Sequence, residues 1–316
     1  MLSSDMPRPE VSVVIPTRNE QENAFGIAQA VITEMEQLAL DFELIFIDNS
    51  SNDETVEIVR RMCKADPRIK LIANQNNFGQ MRSPTYGIYQ AGGRAVINMC
   101  ADFQDPPALI PEFIQAWRDG FPIVLGVRRL EANSLRMRVI RYLAYAFSNR
   151  FFDHPVIPQA TGFGLYDRKV VDTLAALNEP EPFFRGLLVE FGFPIKRIAF
   201  DRPNRAGGRS NNNFFTLLDF SMSAIAGMGK RLLRIPLFLG VFSGLLALVL
   251  LLIDGFAVVN GYNGWPLFIW AMLQANFAIL FVFVGLLGDQ IRLISERTRR
   301  TPLVVEADRI NLSKNP

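Results

Sequence analysis

One histidine, His154, and two cysteines, Cys63 and Cys100, are all that a chain of 316 residues offers of the side chains most used in nucleophilic pairs and soft-metal sites. A Ser/His or Cys/His pair would have to use His154, which lies in a loop-like Asp153-His154-Pro155. A multi-histidine metal centre is excluded. The cysteines stand far apart and form no CxxC, which speaks against a disulfide scaffold or a zinc finger and fits a reducing cytosol. Charge of one sign is lacking too. Lys plus Arg number 33 and Asp plus Glu 31, a net +2 that gives no case for binding nucleic acid. The first ten residues are polar and carry prolines, without the apolar core of an export signal, so the first domain is expected to stay in the cytosol. Apolar residues are in modest excess, at 49% with a mean hydropathy of +0.16, and the excess gathers after residue 234.

From residue 11 to about 200, short apolar runs alternate with longer mixed ones. Residues 11–15, 42–47, 69–73, 95–99 and 121–125 are β-branched and aromatic and read as buried strands. Residues 20–40, 53–64, 80–91 and 107–119 read as helices, with Asp53 and Glu54 at a helix start where a carboxylate caps free N–H groups. This alternation predicts an α/β fold with a parallel sheet covered on both faces. In such sheets ligands bind beyond the carboxyl ends of the strands. There the sequence places Pro16-Thr17-Arg18-Asn19-Glu20, Asp48-Asn49-Ser50-Ser51-Asn52-Asp53, the loop 74–80, and Asp102-Phe103-Gln104-Asp105-Pro106-Pro107. A single such segment is explained by turn chemistry. Four converging on one edge predict a cleft.

A second unit begins near residue 214. The runs 235–259 and 265–287 are each long enough to cross a hydrocarbon core, which takes about 20 residues. Asn260-Gly261-Tyr262-Asn263-Gly264 joins them tightly. Lys230, Arg231 and Arg234 precede the first run, and Arg292, Arg297, Arg299 and Arg300 follow the second, while the connecting turn has no Lys or Arg. The positive-inside rule then puts both ends in the cytosol. The expected organisation is a cytosolic domain over 1–210, a juxtamembrane helix over 211–234, a transmembrane hairpin over 235–288 and a cytosolic tail over 289–316. Within the first domain, 135–152 has an apolar stripe beside Arg136, Arg138, Arg141 and Arg150, the pattern of an interfacial helix on anionic lipid.

VSVVIPTRNE, ELIFIDNSSNDET, NNFGQ and ADFQDPP, in that order, resemble the GT-A, Rossmann-like nucleotide-sugar domain of glycosyltransferase family 2. GLYDRKVVDTL, FRGLLVEFGF, RPNRAGGRS and GLLGDQIRLISERTRRTPLVVE, around the two-helix hairpin, resemble the bacterial polyprenyl-phosphate branch of that family, related to dolichyl-phosphate mannose synthase. The likeness covers nearly the whole chain. It implies inverting transfer of a hexose-type sugar from a nucleotide diphosphate, expected to be UDP, onto undecaprenyl or another polyprenyl phosphate. It also implies Mg2+ or Mn2+ as cofactor, a homo-tetramer, a place in the bacterial inner membrane and a product for a cell-envelope glycan. By the resemblance, Pro16, Thr17, Asn19, Glu20, Asp48, Asn77 and Gly79 line the nucleotide pocket, and Ser51 and Asp53 shape the turn behind it. Asp102 and Gln104 hold the metal, and Asp102 and Asp105 are the catalytic carboxylates. A phosphate acceptor is already a nucleophile and mainly needs to be held in line, a task suited to the fork of arginine. Arg128, Arg138, Arg202, Arg205 and Ser210 are the candidates.

Two departures stand out. The usual Asp-Ala-Asp-Leu-Gln-Asp-Pro-Pro begins here with Cys100, and a thiol is a poor ligand for Mg2+. Where many relatives carry Gly-Asp-Phe-Arg-Leu, this chain has Thr161-Gly162-Phe163-Gly164-Leu165, without the acid and the arginine. The competing readings are a non-catalytic membrane scaffold that binds nucleotide sugar, or a family-2 enzyme with another lipid or glycan acceptor. A processive polysaccharide synthase is disfavoured, since no Gln-x-x-Arg-Trp is present.

Overall fold

The computed structural model describes residues 8–129, 157–179, 182, 184–203, 256, 259–260, 266–299 and 302–312. Five strands follow the expected apolar runs: β1 (Val11–Thr17), β2 (Phe42–Asp48), β3 (Ile69–Asn74), β4 (Ala95–Asn98) and β5 (Ile123–Arg128). Three more are β6 (Ala160–Asp167), β7 (Ile195–Phe200) and β8 (Glu306–Ile310). The helices are α1 (Ala24–Gln37), α2 (Thr55–Ala65), α3 (Gly79–Gln90), α4 (Ile110–Arg118), α5 (Arg168–Ala176), α6 (Phe184–Glu190) and α7 (Pro266–Arg299). One eight-stranded sheet runs β7-β5-β6-β4-β1-β2-β3-β8.

The sheet is mixed, which corrects the all-parallel expectation. β1, β2, β3 and β4 run parallel, as does β7 beside β5. β6 returns antiparallel between β4 and β5, and β8 is antiparallel to β3. At Gly164, opposite Leu125, a Cβ would sit 2.3 Å from the Val124 carbonyl oxygen, so close packing of β5 and β6 calls for glycine there.

Two apolar clusters lie on the sheet around β2, which is buried throughout, and β1, buried except at Pro16. One cluster packs α1, α2 and α4 on the sheet, and the other packs α3, α5 and α6. Helix starts differ from expectation by a few residues for local reasons. Residues 20–23 form a turn in which the Glu20 carbonyl accepts from the N–H groups of Asn23 and Ala24. Asp53 accepts the Thr55 N–H at 3.0 Å, so it caps α2 from just outside. Pro107–Leu109 is a single 3-10 turn before α4, as a proline-started helix allows.

The tail is not a free appendage. α7 runs for 34 residues, and a few residues later β8 pairs with β3 of the central sheet. Among the described residues, no helix is long and apolar enough to cross a membrane. The expected hairpin is therefore not shown. Most of its first arm, with the interfacial segment 135–152, the juxtamembrane segment 211–234 and His154, lies outside the described residues.

Candidate active site

The carboxyl edge of the sheet is a ring of strained turns. Asn19, after β1, has φ 55°; Ser50, after β2, 60°; Gly79, after β3, 82°; and Phe103, after β4, 60°. Gly162, in β6, has φ 92°. A left-handed non-glycine residue costs about 1–3 kcal/mol and persists where its surroundings hold it, and such residues cluster at ligand sites. Here the holding groups are on the page. Asn19 donates its N–H to Ser51 Oγ at 2.8 Å and accepts from the Asn52 N–H at 2.9 Å, locking the first two turns together. The Phe103 ring lies on α1, where a Cβ on Gly26 would come within 3.3 Å of it.

On the β1–β3 side the polar groups form one network. Thr17 is buried and donates to Asp48 Oδ1 at 3.2 Å. Asp48 Oδ2 accepts the Ser51 N–H at 2.8 Å, and the Ser51 hydroxyl donates to Oδ1. Burial raises the Asp48 pKa from its ordinary value, and the bonds from Ser51 and Thr17 oppose it. Asp48 thus holds the turn as well as facing the edge. Glu20 receives its neighbour Asn23 at 2.7 Å through Oε2, and Pro16 is half-buried beneath it. Asn77 Oδ1 accepts from the Gly79 N–H at 3.0 Å. A Cβ on Gly79 would meet nothing within 4 Å, so its left-handed φ, not crowding, calls for glycine.

The residue that ties these loops together is Asn49, which the sequence did not single out. Its amide donates to Asn77 Oδ1 at 2.7 Å and to the Gly79 carbonyl at 3.2 Å, and its Oδ1 accepts the Phe78 N–H at 2.8 Å. Asparagine after a strand reads as turn chemistry, so no local signal could have revealed a partner 28 residues away.

On the β4–β6 side the acidic segment meets the arginines. Asp105 is buried; its Oδ2 accepts the Cys100 N–H at 2.9 Å and its Oδ1 has no hydrogen-bond partner. Its pKa is raised, chiefly by burial, with Arg128 opposing and Asp102 adding. Asp102 accepts the Gln104 N–H at 3.2 Å. Cys100 presents surface to solvent and is otherwise surrounded by protein. That enclosure, with Asp105 and Asp102 nearby, pushes its thiol well above the ordinary value, so it stands protonated. Gln104, expected as a metal ligand, accepts from Arg202 through its amide oxygen. Arg128 is held down from its usual pKa by burial and then by the like charge of Arg202. The Nε groups of Arg128 and Arg202, Asn98 Oδ1 and Thr161 Oγ1 are all buried without partners, as is Arg18 Nε.

Among the described residues no three His, Cys, Asp or Glu side chains gather as a ready metal cage. The donors present still fit a hard cation in part. Asp102 offers carboxylate oxygen, and the unpartnered Asp105 oxygen lies behind it, so a ligand's own oxygens would complete the shell. Of the acceptor candidates, Arg128 and Arg202 come together, while Arg138, Arg205 and Ser210 lie outside the described residues. Arg129, next to Arg128, is exposed and paired to Asp201 at 3.0 Å. Asn98 and Arg18 were also missed: both close apolar strands and look like ordinary strand ends.

A family model for glycosyl transferase family 2 matches residues 12–174. The uncharacterized glycosyltransferase YkcC of Bacillus subtilis is 29% identical over 301 residues, 94% of this chain and 93% of its own. The bactoprenol glucosyl transferase of Shigella phage SfX is 26% identical over 299 residues, 93% of this chain and 97% of its own. Among solved structures, glucosyl-3-phosphoglycerate synthase from Mycobacterium tuberculosis, with Mn2+, UDP and glucosyl-3-phosphoglycerate, superposes with a TM-score of 0.45 at 20% identity, over 69% of this chain and 78% of that one. The family match takes in more than half of the chain and every loop of the edge from β1 to β6, and on that ground this protein is a glycosyltransferase of glycosyl transferase family 2.

Proposed function

We propose that the protein transfers a hexose from a nucleotide diphosphate sugar, a UDP-sugar in the first instance, to a polyprenyl phosphate, with inversion, at the cytosolic face of a bacterial inner membrane. The carrying observation is the Arg128–Arg202 pair: two neighbouring guanidiniums with buried, unpartnered Nε groups, beside Asp102 and Asp105. Like charges brought together with free N–H donors favour an anion between them, and a phosphate monoester has the charge and the oxygens to accept from both. The name of the phage relative, a bactoprenol glucosyl transferase similar over nearly its whole length, supports a polyprenyl phosphate and makes glucose the first sugar to try.

In this reading the Asn49–Asn77–Gly79 network and the Asp48 turn shape the nucleotide pocket. Arg128 and Arg202 hold the acceptor phosphate on the opposite side. One phosphate oxygen attacks the anomeric carbon as the bond from that carbon to the nucleotide diphosphate breaks, and the diphosphate leaves with the electron pair. The acceptor is already ionised, so no strong general base is required, and positioning does most of the work. Asp102, with Asp105 behind it, would hold Mg2+ or Mn2+ at the diphosphate, where a divalent ion neutralises charge on the leaving group.

The membrane part of the reading is supported by α7. No Asp, Glu, Lys or Arg occurs from Pro266 to Gly288, and Ile269, Leu273, Phe277, Leu280, Val284 and Leu287 are all exposed. Large apolar side chains exposed along a helix call for a nonaqueous surrounding. With the equally apolar 235–259, they suit an anchor beside the cleft. A transfer assay in detergent, with undecaprenyl phosphate and a panel of UDP- and GDP-sugars, tests the proposal. A lipid-linked sugar from one donor is expected; none from any donor refutes it.

A further inference from the structure

The strand β8 is wired to the loop that follows β3. Arg82, in the first turn of α3, donates from Nε to the Leu303 carbonyl at 2.9 Å and from a terminal nitrogen to the Pro302 carbonyl at 2.7 Å. The same guanidinium lies over the Phe78 ring, 5.4 Å from its centroid. Phe78 in turn gives its N–H to Asn49, the residue that also holds Asn77 and Gly79. Beside this link, the Gln75 N–H donates to the Val305 carbonyl at 2.8 Å, and Val304 is buried. One turn further along α3, the Tyr86 hydroxyl donates to Glu306 at 2.8 Å, and Arg309 donates to Gln90 at 2.8 Å. At the other end of β8, Asn311 donates to the Cys63 carbonyl at 2.8 Å and to the Ile69 carbonyl at 2.9 Å, well away from the carboxyl edge.

A guanidinium with one face on an aromatic ring and its edge on two carbonyls has little freedom. Loops of this kind, with exposed backbone and few apolar contacts, otherwise sit at the low-stability end of a fold. Asn77 and Gln75 are exposed, and besides Asn49 the 75–79 loop is held from outside its own residues by Arg82 and by the tail. The tail also leads directly back to α7, whose last residue is Arg299.

We propose that Arg82 is a positioning residue for the donor site, coupling the segment after α7 to the Phe78–Gly79 loop so that the tail sets the affinity for the nucleotide. The inference rests on the reading of that loop as part of the nucleotide pocket. Its consequence is that docking of the tail after α7, and with it the anchoring of the chain, reaches the donor site through one side chain and leaves the arginine pair on the acceptor side alone.

The test uses the full-length protein in detergent, with UDP as the probe for binding and a UDP-sugar for turnover. Arg82→Ala is expected to weaken UDP binding and raise the donor KM by about fivefold, within the range of site-to-site couplings, with kcat and the acceptor KM within about twofold of wild type. Arg82→Lys, which keeps the charge but loses the fork, should recover only part of the affinity. Asn311→Ala loosens the far end of β8 and should leave both donor constants unchanged. Hydrogen exchange without nucleotide should rise at 76–80 in Arg82→Ala alone. Wild-type UDP affinity in Arg82→Ala overturns the inference, as does an equal loss in Asn311→Ala, which would mean a general structural role. Absence of nucleotide binding by the wild-type protein would overturn the donor reading itself, and this inference with it.

Discussion

Replacing Arg128 with methionine should make the protein a worse enzyme and no less stable. Methionine keeps a comparable length of apolar stem and removes the charge and all five donors. In the folded chain, burial comes first and repulsion from Arg202 second among the influences on this guanidinium, and both disfavour its charged form; attraction to Asp105 and Asp102 ranks behind them. Its Nε is also buried with no partner. A buried unsatisfied donor costs about 1–3 kcal/mol, so its removal should stabilise the fold by about 1 kcal/mol once lost contacts with the carboxylates are set against it. In a domain of this size that corresponds to a rise of about 2–4 °C in Tm. Transfer should move the other way. A hydrogen bond to a charged group contributes about 1.5–3 kcal/mol, which converts to a fall of roughly 10- to 150-fold in kcat/KM for the lipid phosphate. The assays are initial rates against polyprenyl phosphate in detergent micelles and thermal unfolding by circular dichroism. An unchanged kcat/KM refutes the phosphate role. So does a loss of activity matched by a Tm drop of several degrees, because that pattern belongs to a structural arginine.

The remaining expectations concern the carboxylates and the packed glycine. Asp102→Ala should cut transfer by more than about 100-fold, as removal of a principal electrostatic group does, and leave the circular dichroism spectrum intact; chelation of divalent ions should reduce the wild-type rate and change the variant's residual rate little, and near-wild-type turnover in the variant would sink the assignment. Gly164→Ala places a Cβ against the Val124 carbonyl oxygen at 2.3 Å, so it should cost about 3 kcal/mol, read as a lowered denaturation midpoint; an unchanged midpoint would mean that β5 and β6 separate easily. Folding raises the Asp48 pKa, mainly through burial, so the native state holds this proton more tightly than the unfolded chain does. The associated stability is fully present below the unfolded value of about 3.9 and is lost as pH rises through the higher folded value. Asp48→Asn should therefore gain Tm relative to wild type as pH climbs through that window, and a difference independent of pH contradicts the burial account.

What could be read from the sequence was whatever period and local spacing encode. The first five strands are short β-branched and aromatic runs, the four segments between them read as helices, and all were located to within a few residues. β6, β7 and β8 lack such a signal. β6 contains two glycines, one left-handed and one at a close strand contact, and β7 has exposed Lys196 and Arg197 at the sheet edge. β8 is five residues long and charged, and it becomes a strand only because β3 offers an unpaired edge. The antiparallel insertion of β6 likewise depends on contacts between distant segments. Within the site, residue types near strand ends pointed to the carboxyl edge of the sheet, where the structure gathers them. Their partners did not follow from type: Gln104 turned to Arg202, and Asn49 proved to be the hub.

The edge therefore has two halves built by different physics. On the β1–β3 half Asn49, Asp48, Ser51 and Asn19 pair with one another and with the backbone, Arg18 Nε and Asn74 Oδ1 being the buried exceptions, and the turns are held in left-handed conformations within the protein. Such a surface recognises through shape and backbone, and loses little entropy on binding. On the β4–β6 half, Asp105 Oδ1, Asn98 Oδ1, Thr161 Oγ1 and the Nε groups of Arg128 and Arg202 are buried and unmatched. Unmatched buried groups destabilise the free protein, and that cost is recovered when a complementary anion or cation arrives. Cys100 belongs to this second half, and its protonated thiol removes one negative charge from where many relatives have an aspartate. With one carboxylate fewer beside Asp102 and Asp105, the two arginines are less neutralised from within, which under the proposed function favours drawing in phosphate over gripping a metal before the donor binds.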